Sequence, residues 1–483
     1  MSEEINYKTD VAKGWVLINF SDTCESISLN GIKIKQKQYQ QKGKYPVVDQ
    51  GQELIGGYYD KDELVVSGEP PFIIFGDHTK VKKLVNFKFI AGADGVKVLK
   101  PYEFLNPKLF FHFMHCIKLP DKGYARHYQF LGKAEFPIPP LLEQHRIVSK
   151  IEELFSSLDK GNESLKTAQE QLKVYRQAVL KWAFEGKLSD SFRKDNPYFN
   201  SYIEDKHHLI EEYNSKKEGQ DIPRRLPPVS FDELFDLPFG WIWVESHKIC
   251  SSVRDGTHDT PKYFESGIPL ITSKNLKNGS LDFENVDFIS FEDHIEISKR
   301  SAVETGDILY GMIGTIGNPV IISTNNTFSI KNVGLFKRNE DLIVPTYLKY
   351  WLESWVCDKI LKELDLIKGT TQKFIALGGL RILPVPLPSK EEQLFIVSEI
   401  ESRLSVCDKI EESITTSLQQ AEALRQSILK KAFEGKLVAQ DPNDEPASVL
   451  LERIKAEMEK NKPAKKVKEK KVKQTKSKKT VTA

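Results

Sequence analysis

Apolar residues recur at alternating spacings of four and three in two long stretches of the chain. The seam of the first stretch consists of Ile147, Ile151, Leu154, Leu158, Leu165, Leu172, Tyr175 and Val179, with Ala168 and Trp182 in phase. The seam of the second stretch consists of Ile396, Ile400, Cys407, Ile410, Ile414, Ala421, Leu424 and Ile428. This spacing predicts two coiled-coil helices. Each stretch follows a proline cluster and ends near a glycine, Gly186 or Gly435, that suits the position just beyond a helix end.

The two stretches are copies of one another. A gapless match begins with EQHRIVSKIE (143–152) and EQLFIVSEIE (392–401), and it ends with LKWAFEGKL (180–188) and LKKAFEGKL (429–437). The offset is constant, since 392 − 143 and 437 − 188 both equal 249. A match of this kind indicates internal duplication. The copies differ at the last seam position, Trp182 against Lys431, so we expect the two helix ends to be seated differently.

A region of short strands and turns precedes each helix. Both regions open with a GW pair and carry a cysteine nine residues after the tryptophan, in GWVLINFSDTC (14–24) and GWIWVESHKIC (240–250). Both also contain a helical stretch near their end, PKLFFHFMHCI and PTYLKYWLESWVCDKI. The predicted fold is α+β, with two mixed α/β heads that each precede a long helix. If the helices pack seam to seam, the connectivity makes them an antiparallel coiled coil with internal pseudo-twofold symmetry.

The pattern divides the chain into seven segments. They are head 1 (1–139), helix 1 (140–188), a polar connector (189–237), head 2 (238–388), helix 2 (389–437), a short C-terminal helix (438–459) and a lysine-rich tail (460–483). The tail is predicted to be disordered and solvated. Because the formal net charge of the whole chain is only +2, the rest of the chain is mildly acidic. Any binding of DNA by the heads must therefore come from local patches.

Length and composition exclude several classes of protein. A chain of 483 residues is too long for one ordinary core. No apolar run approaches the roughly 18 residues of a membrane span, and no signal-peptide pattern opens the chain, so we expect a cytoplasmic protein. The cysteines are scattered without CxxC pairs and are expected to be buried thiols rather than disulfide or zinc sites; they are Cys24, Cys116, Cys250, Cys357 and Cys407.

Motifs for catalysis are weak or missing. No GK pair has the glycine that a P-loop requires, and GMIGTIGN (311–318) lacks the GxGxxG spacing of a dinucleotide site. The segment DNPYF (195–199) resembles the NPPY motif of adenine methyltransferases, but it has one proline where that motif has two, and a turn accounts for it better. The EGK triplets lie at the predicted helix ends. The histidines show no metal-binding spacing. We therefore expect no catalysis and no bound cofactor or metal in this chain.

The whole arrangement resembles the specificity (S) subunit of type I restriction-modification systems. The residues that carry the resemblance are FPIPPLLEQHRIVSKIE and LPVPLPSKEEQLFIVSEIE with their AFEGKL endings, together with YPVVDQGQELIGGY, FGDHTK, DGTHDTPK and GDILYGMIGTIGNP in the heads. The resemblance implies a DNA-reading subunit without a catalytic site. It also implies two methyltransferase (M) subunits as partners and, through them, restriction-translocation (R) subunits, which would bring S-adenosylmethionine, ATP and Mg²⁺.

Two divergent heads on a rigid spacer suit double-stranded DNA that is read at two places. A helix of about 40 residues is about 60 Å long, so the head centres would lie within about 18 base pairs, with one turn of about 10 favoured. Because the heads differ, the two half-sites should differ. We therefore expect an asymmetric bipartite site with an unread gap, and helices that act as a ruler and as a docking platform for M subunits.

Candidate DNA contacts are long polar side chains in the loops of the heads, because such groups reach base edges and phosphates. In head 1 they are Lys33, Lys35, Lys37, Gln50, His78, Lys80 and Arg126. In head 2 they are Arg254, Thr257, His258, Lys274, Asn275, Lys368, Thr371, Gln372 and Lys373.

Two other functions stay open at this point. One is a coiled-coil scaffold with two protein-binding heads. The other is a methyltransferase-nuclease with integrated specificity, which the missing cofactor motif disfavours.

Overall fold

The computed structural model describes residues 12–117, 119–120, 123, 125–197, 203–215, 231 and 234–460. The chain forms two compact units. Unit 1 contains residues 1–164 and 417–483, and unit 2 contains residues 165–416. The lysine-rich tail beyond residue 460 lies outside the described residues, as do Tyr198 and Phe199 of DNPYF. In the described part, no helix has the length and apolar character needed to cross a membrane.

In its described residues, head 1, which lies in unit 1, is built from short strands and two α-helices. The strands are β1 (Val16–Asn19), β2 (Cys24–Ile27), β3 (Tyr45–Val48), β4 (Gly57–Tyr59), β5 (Phe72–Gly76), β6 (Lys82–Val85), β7 (Ile90–Ala91), β8 (Val96–Pro101) and β9 (Glu135–Ile138). The helices are α1 (Pro107–Cys116) and α2 (Tyr128–Leu131). The helix predicted late in this head is confirmed, and the side chain of Asn106 caps its first turn.

The first long helix, α3 (Leu141–Phe184), begins in unit 1 and ends in unit 2. In the described part of the connector, two shorter helices follow, α4 (Asp190–Asp195) and α5 (Ile203–Ser215). Asn196 of DNPYF donates its backbone amide to Phe192 of α4, so this segment begins at a helix end.

Head 2, in unit 2, opens with β10 (Ile242–Glu245), α6 (Ser246–Ile249) and β11 (Ser252–Asp255). The next elements are β12 (Ile268–Ile271), β13 (Leu276–Lys277), β14 (Ser280–Leu281), β15 (Asp287–Ile289), α7 (Phe291–Ser301), β16 (Ile308–Gly311), β17 (Gly317–Ile321), β18 (Ser329–Ile330) and β19 (Val333–Lys337). The head closes with α8 (Pro345–Glu353), α9 (Trp355–Glu363), β20 (Ile367–Lys368), β21 (Phe374–Ile375), α10 (Leu377–Arg381) and β22 (Pro384–Leu387). The helical stretch predicted here is two helices, because Ser354 is extended and caps α9.

The second long helix, α11 (Lys390–Phe433), begins in unit 2 and ends in unit 1. A final helix, α12 (Ala447–Lys460), follows it. Both long helices end as predicted: Gly186 and Gly435 adopt φ values of +72° and +67°, which favour glycine.

The two heads share one strand topology. Head 1 contains a four-stranded sheet of order β2-β8-β5-β6 and a three-stranded sheet of order β4-β3-β7, and β1 pairs with β9. Head 2 contains the corresponding sheets β11-β19-β16-β17 and β15-β12-β18, and β10 pairs with β22. In both three-stranded sheets one pairing is antiparallel and the other is parallel. The predicted duplication therefore extends through the heads.

A repeated glutamine anchors each head to its long helix. Gln144 Oε1 accepts the backbone amide of Asn106 (2.7 Å), and Gln144 Nε2 donates to the backbone carbonyl of Phe104 (2.9 Å). Gln393 makes the same two contacts, with the backbone amide of Val344 (2.8 Å) and with the backbone carbonyl of Leu342 (3.1 Å). Both glutamines are fully buried, so each fixes the loop that precedes α1 or α8 against the start of the long helix.

Within each unit, segments of the two long helices pack in opposite directions. In unit 1, Arg425 pairs with Asp159, while Arg146 at the start of α3 pairs with Asp444 beyond the end of α11. In unit 2, Arg176 pairs with Asp408 (2.7 Å). Arg193, which follows α3, pairs with Glu392 at the start of α11 (2.7 Å). Within each unit, the segments of α3 and α11 are therefore antiparallel.

The seam positions differ in burial. The buried ones are Ile147, Ile151, Val179, Ile396, Ile400, Cys407, Ile414 and Ile428, and the half-buried ones are Leu154, Leu158, Leu165, Leu172 and Ala421. Tyr175, Ile410 and Leu424 are exposed. Several deeply buried positions share a core with the nearby head, which excludes water from them. Trp182 and Lys431 are both exposed, and the Trp182 ring lies edge-on to Tyr175 with 6.3 Å between the ring centroids.

The five cysteines are free thiols, and four are buried; Cys116 is partly buried. In the described residues no group of three or more metal-ligating side chains could hold a metal ion.

Unit 1 also contains a histidine that burial keeps neutral. Burial lowers the pKa of His112 to about 4, with a smaller opposing effect from Glu152 and lowering effects from Lys108 and Arg425. The ring lies edge-on against Phe155 at 5.6 Å. Below a pH of about 6.5 the unfolded chain binds a proton that the folded unit does not. This residue should therefore reduce stability as the pH falls from about 6.5 towards 4.

We predict that His112→Gln weakens this acid sensitivity. Allowing for partial exposure, the difference in free energy of unfolding between the variant and the natural chain should change by about 1 kcal/mol between pH 7.5 and pH 5. Thermal unfolding at the two pH values measures it, and other titrating groups cancel in the comparison. An equal pH dependence in both proteins would contradict the assignment.

Candidate nucleic-acid interface

The candidate residues of head 1 occupy three places. Lys33, Lys35 and Lys37 are exposed in the segment between β2 and β3, and Arg126 is exposed before α2. Gln50, His78 and Lys80 come together because the ends of β3 and β5 are adjacent; their contacts are described next.

Gln50 joins the end of β3 to the turn between β5 and β6. Its side-chain oxygen accepts the backbone amide of His78 (3.3 Å), and its carbonyl accepts the hydroxyl of Thr79 (2.8 Å). Lys80 follows with φ +59°, a left-handed conformation that turns the chain back into β6. The structure thus brings these three predicted residues together at one turn of head 1, a grouping that the sequence analysis did not predict.

Next to this turn, head 1 contains a compact polar cluster. The Tyr39 hydroxyl donates to Asp49 Oδ2 (3.2 Å), and Lys83 Nζ lies 3.8 Å from the other oxygen of Asp49. Burial, followed by the charge of Asp49, raises the pKa of Tyr39, and burial lowers the pKa of Lys83. The cluster therefore holds the end of β3 in place inside the head.

Head 2 has a polar cleft of about 400 Å³ at the corresponding end of β12. Polar side chains dominate its lining, which combines hydrogen-bond donors and acceptors with one aromatic ring. The polar lining includes Tyr263, Thr272, Lys274, Asn275, Lys331, Asn332 and Gln372. The cleft thus brings together Lys274, Asn275 and Gln372 from the candidate residues. It adds others that the sequence analysis did not name, among them Tyr263, Thr272, Lys331 and Asn332.

A charged network supports one wall of the cleft. Asp255, which is 1% exposed, accepts from His258 Nε2 (2.8 Å) and pairs with Arg300. His258 Nδ1 lies 3.2 Å from Asn332 Oδ1. Because Asp255 is buried and doubly paired, it holds His258 in place, and the His258 ring contacts the Asn332 side chain.

Asn275 has a structural role in the cleft. It is buried, and its side-chain oxygen accepts the amide of Thr272 (2.9 Å). Its side-chain nitrogen donates to the carbonyls of Asp282 (3.1 Å) and Asn285 (3.0 Å). With its amide used in this way, Asn275 shapes the loop instead of presenting a free group at the surface.

The remaining candidates of head 2 lie nearby. Thr371, Gln372 and Lys373 are exposed at the end of the β20–β21 hairpin, and Lys368 on β20 pairs with Asp365. Arg254 is half-buried on β11, directly before Asp255, and Thr257 is half-buried beside the end of β18.

Comparison with known proteins identifies the family. A family model described as a type I restriction modification DNA specificity domain matches residues 12–173 and 249–420. The chain belongs to this family. The two matched regions contain most of the two heads and most of both long helices.

Individual members of the specificity family are also similar to this chain. The type I restriction enzyme EcoBI specificity subunit of Escherichia coli is 32% identical over 330 residues, which cover 66% of this chain and 64% of that protein. The EcoKI specificity subunit of Escherichia coli (strain K12) is 25% identical over 337 residues, which cover 66% and 63%. The chain thus spans slightly less than two thirds of these two relatives. Specificity subunits are non-catalytic, which agrees with the prediction that this chain is not an enzyme.

Solved structures support the fold. A chain from a study of complex assembly and conformational transition of the type I R-M system matches with a TM-score of 0.60 and 18% identity, covering 89% of this chain and 100% of that chain. The HsdS subunit from Thermoanaerobacter tengcongensis matches with a TM-score of 0.51 and 18% identity, covering 89% and 99%. These matches confirm the α+β fold with two repeated domains.

The residues that the sequence prediction missed lie in segments without a strong local motif. Tyr263 could have been found, because YQQKGKYP (39–46) and YFESGIP (263–269) share a tyrosine, a glycine and a proline in similar order. Lys331 and Asn332 gave no such signal. They follow a two-residue strand, and only the pairing of distant strands brings them to the cleft.

Proposed function

We propose that this chain is the sequence-specific DNA-recognition subunit of a type I restriction-modification complex. Residues 1–139 and 238–388 would act as target-recognition domains, and each would read one half of an asymmetric bipartite site. One observation carries this proposal beyond family membership: the heads share a strand topology but carry different side chains at the same corner, described below. Shared topology with divergent loops is what two different half-sites require.

The long helices would hold the two heads at a fixed spacing. Each helix has 44 residues, and 44 residues of α-helix extend over about 66 Å. The opposite directions of their segments in both units support an antiparallel coiled coil with a pseudo-twofold axis, in which residues 140–188 and 389–437 form the ruler. The DNA between the half-sites would remain unread.

The helices would also dock two methyltransferase (M) subunits. Two apolar side chains in the unit 2 segments of these helices are exposed. Val174 on α3 is 71% exposed, and Val406 on α11 is 56% exposed. A docked M subunit would cover these two apolar side chains. Through the M subunits the complex would recruit restriction-translocation (R) subunits, and S-adenosylmethionine, ATP and Mg²⁺ would bind to those partners.

The proposal predicts a bipartite methylation motif. When the chain is produced with its M subunit in cells that lack other methyltransferases, methylome sequencing should return two different half-sites separated by a fixed run of unspecified bases. The M subunit without this chain is the control and should give no motif. A continuous motif would contradict the two-headed reading, and failure of the chain to confer any motif would favour the protein-binding scaffold.

A further inference from the structure

Strand pairing gives a residue-by-residue correspondence between the heads at one corner, which lies at the C-terminal end of β3 in head 1 and of β12 in head 2. The backbone amide of Gly92 donates to the carbonyl of Val48, the last residue of β3 (2.9 Å). The backbone amide of Lys331 donates to the carbonyl of Ile271, the last residue of β12 (2.9 Å). Because β3 corresponds to β12 and both bonds leave the final strand residue, Gly92 and Lys331 occupy equivalent positions.

The same reasoning pairs two tyrosines. The amide of Gln40 donates to a carbonyl of β4 (3.0 Å), and the amide of Phe264 donates to a carbonyl of β15 (2.9 Å). In each head the accepting carbonyl belongs to the residue that pairs with the proline at the second position of the central strand. That proline is Pro46 in head 1 and Pro269 in head 2. Tyr39 and Tyr263, each one residue earlier, are therefore equivalent.

In head 1 this corner is closed. A Cβ atom placed on Gly92 would lie 2.2 Å from the Tyr39 hydroxyl oxygen and 2.6 Å from Asp49 Cβ. Tyr39 cannot move away freely because its hydroxyl is bonded to Asp49 (3.2 Å). A side chain at position 92 is thus excluded, and head 1 presents no long donor from this position.

In head 2 the corner carries a lysine that the protein holds in position. Lys331 Nζ lies 2.6 Å from Thr260 Oγ1 and 3.4 Å from the Tyr263 hydroxyl. The side chain is half-buried and lines the 400 Å³ cleft. An ammonium group has three N–H donors, and among the residues that the structure describes these two hydroxyls use two of them, so one donor is left for a group that enters the cleft.

The backbone beside Lys331 is also fixed. Asn332 adopts φ +54°, and its side chain contacts His258, which is held by the buried Asp255. The Asn332 carbonyl accepts the Ser273 hydroxyl (3.4 Å). A lysine on such a supported corner has fewer orientations than an exposed surface lysine, which favours recognition of one defined acceptor over loose contact with phosphate.

We propose that Lys331 reads a guanine in the half-site bound by head 2, and that head 1 has no equivalent contact. The assignment rests on the proposed function. A lysine offers only donors, and guanine is the base that presents two acceptors, O6 and N7, in the major groove. The pair Gly92 and Lys331 would then be one source of the difference between the half-sites.

The test is Lys331→Met in the complete complex with the M subunit, read by methylome sequencing. Methionine keeps much of the length of lysine and removes the donors. We expect one guanine of the head 2 half-site to become degenerate, with a preference lowered by about tenfold or more, while the other half-site and the gap stay unchanged. Lys331→Arg should retain the guanine, since arginine also donates to O6 and N7.

The matched control is Lys299→Met on α7, an exposed lysine that pairs with Glu296. It should leave the motif unchanged. An unchanged motif in Lys331→Met would overturn the proposal. The proposal would also be overturned if Lys331→Met weakened the binding of all DNA sequences equally and reduced the salt dependence of that binding, because this pattern marks a phosphate contact. If the natural complex gave no bipartite motif, the proposed function itself would fail, which separates the two failures.

Discussion

Removing residues 164–170 from α3 together with residues 413–419 from α11 is expected to shorten the unread gap by about three base pairs. Seven residues of α-helix span about 10.5 Å, and base pairs stack about 3.4 Å apart. Removing one heptad keeps the seam on the same helix face. Both half-sites should stay unchanged, because neither head is altered.

The structure shows why this deletion suits the test. The cut lies between two ion pairs that link the helices, Asp159 with Arg425 in unit 1 and Arg176 with Asp408 in unit 2. Removing equal lengths from both helices preserves both pairs. Deletion from one helix alone is the matched control, and it should abolish methylation because one pair must then lose its register. Methylome sequencing measures both variants, and altered half-sites or an unchanged gap would refute the ruler.

Exchange of residues 14–139 for the corresponding region of another specificity subunit is expected to replace one half-site completely. The gap and the second half-site should be kept, because α3, α11 and head 2 are untouched. The measurement is again the methylated motif in cells that contain the M subunit. A change in both half-sites would show that the heads do not read independently.

The fold places suitable junctions for this exchange. The first and last strands of head 1 pair with each other, Val16 opposite Ile138, so both cuts fall at one edge of the head. The incoming segment must itself carry a tryptophan at position 15, because the Trp15 indole donates to the buried Glu143 of α3 (3.0 Å). A graft whose first residues lack this tryptophan is the control, and it should lose stability, since the buried Glu143 carboxylate would lose the indole donor.

The tertiary contacts explain the repeated EQ pair, which the sequence analysis used only as a sign of duplication. Gln144 binds the loop before α1, and Gln393 binds the loop before α8. Their identity is thus required by a long-range contact. The sequence could reveal that the residue was repeated, but the reason lies in a loop about 40 residues away in one copy and about 50 in the other.

The sequence by itself determined the duplication, both long helices and their ends at Gly186 and Gly435. These features depend on local periodicity and on the φ values that glycine permits, so they can be read from short segments. Only the tertiary structure decided which polar loops meet. Lys331 reaches the cleft through the parallel pairing of β12 and β18, whose residues are about 60 positions apart, and Asn275 proved to be consumed by contacts inside its own head. Such pairings are set by the packing of distant strands, and no local pattern encodes them.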